Sequence, residues 1–304
     1  MKKLCLLGGT GIVGTELRNR LSLESTVSSL GRSSLNDIIY DSSQSAGAAV
    51  KELISGADIL VDASGVTNEE VNKSSVNAFE RLCNVIALIE TEANQLSHIV
   101  YISTSHVYGR FEGELDELKP VNPIGHYSLI HYFAEQEYRR IAEKKKAKLT
   151  IVRPNAVYGL PSDLSRFDRW SLIPFSFPKE AVKNSSITIM SSGLQKRNFV
   201  SSVFIAELVA EALQSQNESV WFINPVGKKT LTVGGFSKLV AQLCEDVLEK
   251  RVEVSIKGTE PKICDFSFKS NRTFSVQESD NSLEKFLISL ITKIKEEVKD
   301  GANY

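Results

Sequence analysis

Short apolar runs alternate with longer amphipathic stretches through the first half of the chain. Residues 4–7, 26–30, 38–40, 59–62, 99–103 and 149–153 have the length and branched or apolar character of buried strands. Residues 12–21, 46–54, 71–96 and 128–146 instead carry apolar positions at helical spacing. Such alternation predicts an α/β protein, a doubly wound parallel sheet with helices on both faces. The second half is less regular. Pro161, Pro174 and Pro178 punctuate an apolar stretch over 160–177, predicting loop and short helix. Residues 203–213 and 235–249 read as helices, 220–223 as a strand, and 283–298 as an amphipathic closing helix.

Composition narrows the function classes. The 304 residues carry 36 Lys and Arg against 37 Asp and Glu, a net charge of −1, so nucleic acid and anionic membrane are not expected partners. The apolar run after Lys2-Lys3 is short and glycines interrupt it, unlike a secretory leader. No stretch has the apolar length of a membrane span, and a cytoplasmic protein is expected. Cys5, Cys83, Cys244 and Cys264 lie far apart without histidines at ligand spacing. They read as reduced thiols, and no metal site is expected.

Candidate chemistry begins at the first strand, which runs into Gly8-Gly9-Thr10-Gly11-Ile12-Val13-Gly14 and then a helix. Glycines in this strand–turn–helix order permit a tight turn and close backbone approach to a pyrophosphate. The helix N-terminus adds unpaired N–H groups and a positive dipole end. Gly8, Gly11, Ile12, Val13 and Gly14 are therefore the expected dinucleotide-binding residues. The end of the second strand reads Leu30-Gly31-Arg32-Ser33-Ser34, without the acid that an NAD ribose hydroxyl needs. Arg32 and Ser33 suit a 2′-phosphate, so NADP(H) is the preferred cofactor, with NAD possible. Asp41 is placed either to meet adenine or to cap a turn. Ala63, Ser64 and Gly65 supply small side chains where the backbone must pass close to the cofactor.

Three further motifs carry a resemblance. Ser103-Thr104-Ser105-His106-Val107-Tyr108-Gly109 ends the fifth strand, Arg153-Pro154-Asn155-Ala156-Val157-Tyr158-Gly159 ends another, and Arg197-Asn198-Phe199-Val200 follows. In this order they resemble the extended short-chain dehydrogenase/reductase family, the NAD-dependent epimerase/dehydratase group that modifies nucleotide sugars. The resemblance implies a Rossmann-type fold, with residues 1–153 as the dinucleotide-binding domain. Residues 154–304 would form mainly the substrate lobe, with segments crossing back. It places the catalytic tyrosine of the family's YxxxK motif at Tyr127 and the substrate-touching hydroxyl at Thr104. Ser105, His106 and Asn155 fall beside the substrate, Arg197 at its diphosphate, and Asn77 as a brace of the catalytic region. A homodimer paired through the two long helices is implied as well.

One position departs from the family pattern, because His131 stands where the lysine belongs. A residue four positions after Tyr127 lies about one helical turn away, so His131 is expected to bind the cofactor and to orient ribose and phenol. The leading expectation is NADP(H)-dependent reduction of a 4-keto nucleotide sugar, in polysaccharide biosynthesis. The alternatives are a nucleotide-sugar 4-epimerase and, in another class, a catalytically silent NADP(H)-binding regulator or scaffold. The acid pair of a sugar 4,6-dehydratase is missing, because Ser105 and His106 stand in its place.

Overall fold

The computed structural model describes residues 1–259 and 266–299; Cys264 lies outside them. The first half runs β1 (Lys2–Leu7), α1 (Ile12–Leu21), β2 (Ser25–Gly31), β3 (Ile38–Ile39), α2 (Ala48–Ser55) and β4 (Ile59–Asp62). It continues through α3 (Asn68–Lys73), α4 (Ser75–Glu92), β5 (His98–Ile102), β6 (Gly113–Leu115), α5 (His126–Lys145) and β7 (Lys148–Val152). The single helix expected over 71–96 is two helices that break at Ser74, which is extended at φ −162° and ψ 103°. Its hydroxyl accepts from the Asn77 amide at 3.3 Å, so a helix interior is exchanged for an N-cap. The helix also stops early, at Glu92, because Ala93 is extended.

The second half runs β8 (Ala156–Tyr158), α6 (Ile173–Asn184), β9 (Ser186–Ile189), β10 (Lys196–Ser201), α7 (Ser202–Ser215) and β11 (Val220–Ile223). It closes with β12 (Lys229–Thr232), α8 (Val233–Leu248), β13 (Glu253–Ile256), β14 (Phe266–Phe268) and α9 (Ser282–Lys299). The proline-punctuated stretch is loop and a 3₁₀ turn at Leu164–Arg166 only as far as Leu172. Beyond it α6 absorbs Pro174 in its first turn, where an N–H would lack a partner anyway, and Pro178 further in.

Seven parallel strands form the main sheet in the order β11-β7-β5-β4-β1-β2-β3. Alternation along β1 sends Leu4 and Leu6 to one face and Cys5 and Leu7 to the other. On the first face lie Leu17 and Leu21 of α1 with Ile205, Val209 and Ala210 of α7. On the second lie α2, α4 and α5. The strand edge beside β7 is β11, supplied from beyond residue 153, with Val220 opposite Leu149 and Ile223 opposite Val152. A separate core gathers α6, α8 and α9 around Phe175, Phe199 and Phe236, the last two stacked at 4.4 Å.

Candidate active site

The glycine-rich turn joins the C-terminal end of β1 to α1, and its glycines do different work. Gly8 adopts φ +77°, and a Cβ there would come within 2.7 Å of Ser64 backbone. Gly14 touches the turn itself, since a Cβ would lie 1.9 Å from the Gly8 carbonyl oxygen. Gly14 is thus a packing residue rather than part of the cavity wall. Gly11 has ordinary φ −70°, and the nearest atom to a Cβ would be 3.6 Å away, so its bare face opens to the cavity. No side chain caps α1 and no acid occupies its first turn, which leaves its first N–H groups able to receive an anion. The turn therefore fits a dinucleotide pyrophosphate, with Gly8, Gly11, Ile12 and Val13 around it and Ala63, Ser64 and Gly65 opposite.

At the end of β2, Arg32 is just over half exposed and pairs with Glu70 of α3 at 3.0 Å. Arg81 of α4 pairs with the same oxygen. Together the two guanidiniums and Glu70's own helix-capping bond to the Thr67 amide hold that carboxyl below its usual range, against burial that pushes it up. Arg32, Ser33 and Arg81 line the cavity. Asp41 does not: its carboxylate accepts the Ser43 amide at 2.9 Å, so it caps a turn, while Tyr40 and Ser42 on either side face the cavity.

One cavity of about 1700 Å³ runs from the glycine turn past the ends of β4 and β5 to Arg197. Single-ligand pockets span roughly 300–1,000 Å³, so this one has room for a cofactor and a substrate together. Thr104, His106, Tyr127, His131 and Asn155 line it. Ser105 does not; it is fully buried and accepts Asn155 Nδ2 at 2.9 Å. Asn155 Oδ1 in turn accepts the Asn198 amide at 3.0 Å, which ties the strand carrying Arg197 to the 3₁₀ turn at Ser105–Tyr108. Asn77, on the outer side of α4, is exposed.

Tyr127 sits in the first turn of α5, with the His131 ring edge-on at 4.7 Å and the His106 ring at 5.7 Å. Desolvation in the cleft pushes its phenol above the ordinary range, while Arg169 and the Thr104 hydroxyl draw it back. Thr104 accepts the His106 amide at 3.2 Å, leaving its own proton for the phenol or a ligand oxygen.

His131 is where sequence reasoning and structure part. It is 3% exposed, and both ring nitrogens are engaged: Nε2 donates to the Val66 carbonyl at 3.0 Å, and Nδ1 meets the Tyr101 hydroxyl at 2.7 Å. Burial pulls its pKa to about 4, so the ring is neutral at pH 7. No ring nitrogen remains to orient ribose and phenol. What His131 offers the cavity is the carbon edge of its ring, since a Cβ on Gly65 would lie 3.1 Å from Cε1.

Arg197 stands at the far end, its guanidinium over the Phe111 ring at 5.1 Å and bonded to the Lys196 carbonyl at 2.9 Å. Burial lowers its pKa, and among the described residues no carboxylate pairs with it. A half-buried guanidinium without a carboxylate partner has the chemistry to accept an anionic group. Arg169, Glu70, Arg81 and Tyr101 escaped the sequence reading. Among the described residues no cluster of His, Cys, Asp or Glu could hold a metal, and no helix is long and apolar enough to cross a membrane.

Residues 4–223 match the NAD dependent epimerase/dehydratase family, and the chain belongs to it. A curated relative from Escherichia coli O157:H7, N-acetyl-alpha-D-glucosaminyl-diphospho-ditrans,octacis-undecaprenol 4-epimerase, is 23% identical over 81% of this chain and 72% of its own length. Among solved structures, the UDP-Glc/GlcNAc 4-epimerase of Campylobacter jejuni superposes with a TM-score of 0.75 at 17% identity, covering 97% of this chain and 100% of that one. The UDP-glucuronic acid 4-epimerase of Bacillus cereus, in complex with UDP-glucuronic acid and NAD, gives 0.68 at 16% identity, covering 98% and 99%. At such identities the likeness shows the Rossmann-type fold. The relatives' names stand with the 4-epimerase alternative rather than with the 4-keto reductase expected first.

Proposed function

We propose that the protein is a 4-epimerase of a nucleotide-activated sugar that works with a bound nicotinamide dinucleotide. The observation that carries this reading is the single cavity that joins the glycine turn, the Thr104–Tyr127 pair and the uncompensated Arg197. Gly8, Gly11, Ile12 and Val13 would hold the dinucleotide, which would supply hydride acceptance and return at the sugar carbon. Tyr127 takes the proton of the sugar hydroxyl and later gives it back. Thr104 holds the reacting oxygen, Arg197 grips the diphosphate, and His131 shapes the floor beneath Gly65. Arg32 and Arg81, both on the cavity wall, favour NADP(H) at the adenosine end. A homodimer through α4 and α5 is supported by exposed Phe79 and Leu129 on those helices.

Tyr127→Phe keeps the ring and removes the proton donor. With UDP-glucose or UDP-N-acetylglucosamine, followed by NMR of the sugar anomers, it should lose about 10²–10⁴ in rate at unchanged cofactor affinity. An unaffected variant overturns the reading. One observation favours the reductase as a second reading. With His131 neutral and the phenol raised, Tyr127 is a proton donor at pH 7. Net consumption of NADPH with a 4-keto sugar nucleotide would select it, and interconversion of epimers without net redox change selects the epimerase.

A further inference from the structure

The field at the Tyr127 phenol has a source outside every motif. Arg169 lies in the loop before α6, is 29% exposed, and lines the cavity with Thr104, Tyr127 and His131. Its Nε stands 3.4 Å from Oε2 of Glu69, in the first turn of α3. Both atoms are buried, yet neither makes a hydrogen bond. The other oxygen of Glu69 accepts the Ser171 hydroxyl, so the acid is pinned by the same loop that carries Arg169. The guanidinium is thus held at the cavity by charge alone, without the bidentate fork that would bind it to one carboxylate.

We propose that Arg169, on the wall of the cavity shared with Tyr127, is a positioning residue that supplies positive potential at the Tyr127 phenol. The proposal rests on reading Tyr127 as the proton-transfer group. Around that phenol stand Tyr101 of β5, His106 of the 3₁₀ turn, His126 and His131 of α5, Glu69 of α3 and Arg169. His131 is pulled to about 4 by burial and carries no charge at pH 7, while His106, which the surrounding cleft and the Arg197 charge draw downward, is open to solvent. Tyr101 is pushed far up by burial and is a neutral phenol. His126 is exposed to solvent on the rim. Arg169 is a permanent cation on the same cavity wall, and its charge draws the phenol down while Glu69 pushes it up.

The two charges make a test with opposite signs. Removing Arg169 raises the phenol's pKa, so proton abstraction by Tyr127 needs higher pH. Removing the charge of Glu69 lowers it. Arg169→Met, Arg169→Lys and Glu69→Gln are compared with the wild-type full chain, using UDP-glucose and UDP-N-acetylglucosamine from pH 6 upward until the rate no longer rises. Arg169→Met should move the rising limb of kcat upward by on the order of one pH unit. That is a roughly tenfold loss at pH 7 that shrinks as pH rises. Arg169→Lys should keep the wild-type profile, and Glu69→Gln should move it to lower pH. A loss in Arg169→Met that is the same at every pH, or a change confined to KM, overturns the proposal. In parallel, NMR of ¹³Cζ-labelled tyrosine, with Tyr127 assigned through Tyr127→Phe, follows the phenol without substrate. If the wild type turns over neither sugar, the epimerase reading fails with these substrates, and this second measurement still decides. A Tyr127 signal that titrates alike in wild type, Arg169→Met and Glu69→Gln overturns the role of Arg169.

Discussion

The Tyr101 hydroxyl lies 2.7 Å from Nδ1 of His131, and that contact determines which proton the imidazole keeps. A carbonyl only accepts, so the bond to Val66 requires Nε2 to carry hydrogen. A neutral ring then has a bare Nδ1, and Tyr101 is the donor. The position that the family fills with a cation is filled here by a neutral imidazole, fixed in one tautomer.

Tyr101→Phe leaves Nδ1 buried without a partner, which should cost about 1–3 kcal/mol. His131→Lys brings three donors to a place with two acceptors, the Tyr101 oxygen and the Val66 carbonyl, and should cost a similar amount. Urea unfolding of both variants measures the loss. A Tyr101→Phe protein as stable as the wild type would show that the bond does not hold the ring.

Stability should depend on pH through the buried histidines. His98 donates to Thr150 at 2.9 Å, and burial pulls both His98 and His131 to about 4, below the ordinary value of 6.5. The unfolded chain therefore binds protons that the folded one refuses. Their stability is fully present above pH 6.5 and is lost as pH falls toward 4, at about 1.4 kcal/mol per pH unit for each histidine. Asp62, buried and raised, works in the opposite direction across part of this window. His98→Asn separates the contributions. Its unfolding free energy between pH 6.5 and 4.5 should slope less steeply than that of the wild type by about 1.4 kcal/mol per unit, and equal slopes would refute the assignment.

The glycines of the turn should separate binding from folding. Gly11→Val meets no atom closer than 3.6 Å at its Cβ, so it should fold and lose dinucleotide binding. Gly14→Ala would press a methyl to within 1.9 Å of the Gly8 oxygen and should disrupt the β1–α1 packing itself. Calorimetric titration and thermal melts of the two variants distinguish them. Unchanged cofactor affinity in a folded Gly11→Val protein would place the phosphate site elsewhere.

Arg32→Ala should weaken NADPH by about 1.5–3 kcal/mol and leave NADH nearly unaffected. The Arg32–Glu70 pair reduces the effect, because the wild-type guanidinium must share itself with that acid. Glu70→Gln should then tighten NADPH. Equal titration of the two cofactors by the wild-type protein would count against the preference.

Where local chemistry dictates structure, the sequence was readable. The strand at Ile59–Asp62 and the helix at Ile12–Leu21 follow from apolar spacing and from glycine punctuation. The break at Ser74 was not, because a serine within an apolar pattern reads as helix until its hydroxyl turns to cap the next one. Tyr127, Thr104 and Arg197 do share one cavity. Asp41 and Ser105 share the sequence neighbourhood but point to a turn and into the core. The fixing of His131 by Tyr101 and Val66 spans 30 and 65 positions, and no periodicity announces such contacts. Arg169 meets Glu69 from a loop with no pattern of its own.

The crossing of the chain back into the main sheet sets an order on synthesis. β11 completes the edge of that sheet, and α7 covers the apolar face shared with α1, so a sheet ending at β7 has Leu17, Val61 and Val100 without their cover. The roughly 70 residues from the end of β7 to the end of β11 take roughly 4–14 s to translate at about 5–20 residues per second. For that interval the nascent sheet carries an uncovered apolar face and an open strand edge, the surfaces that chaperones hold and that aggregation recruits. A ribosome stalled just after β7 should display a chain sensitive to protease, and one stalled past α7 and β11 a protected one.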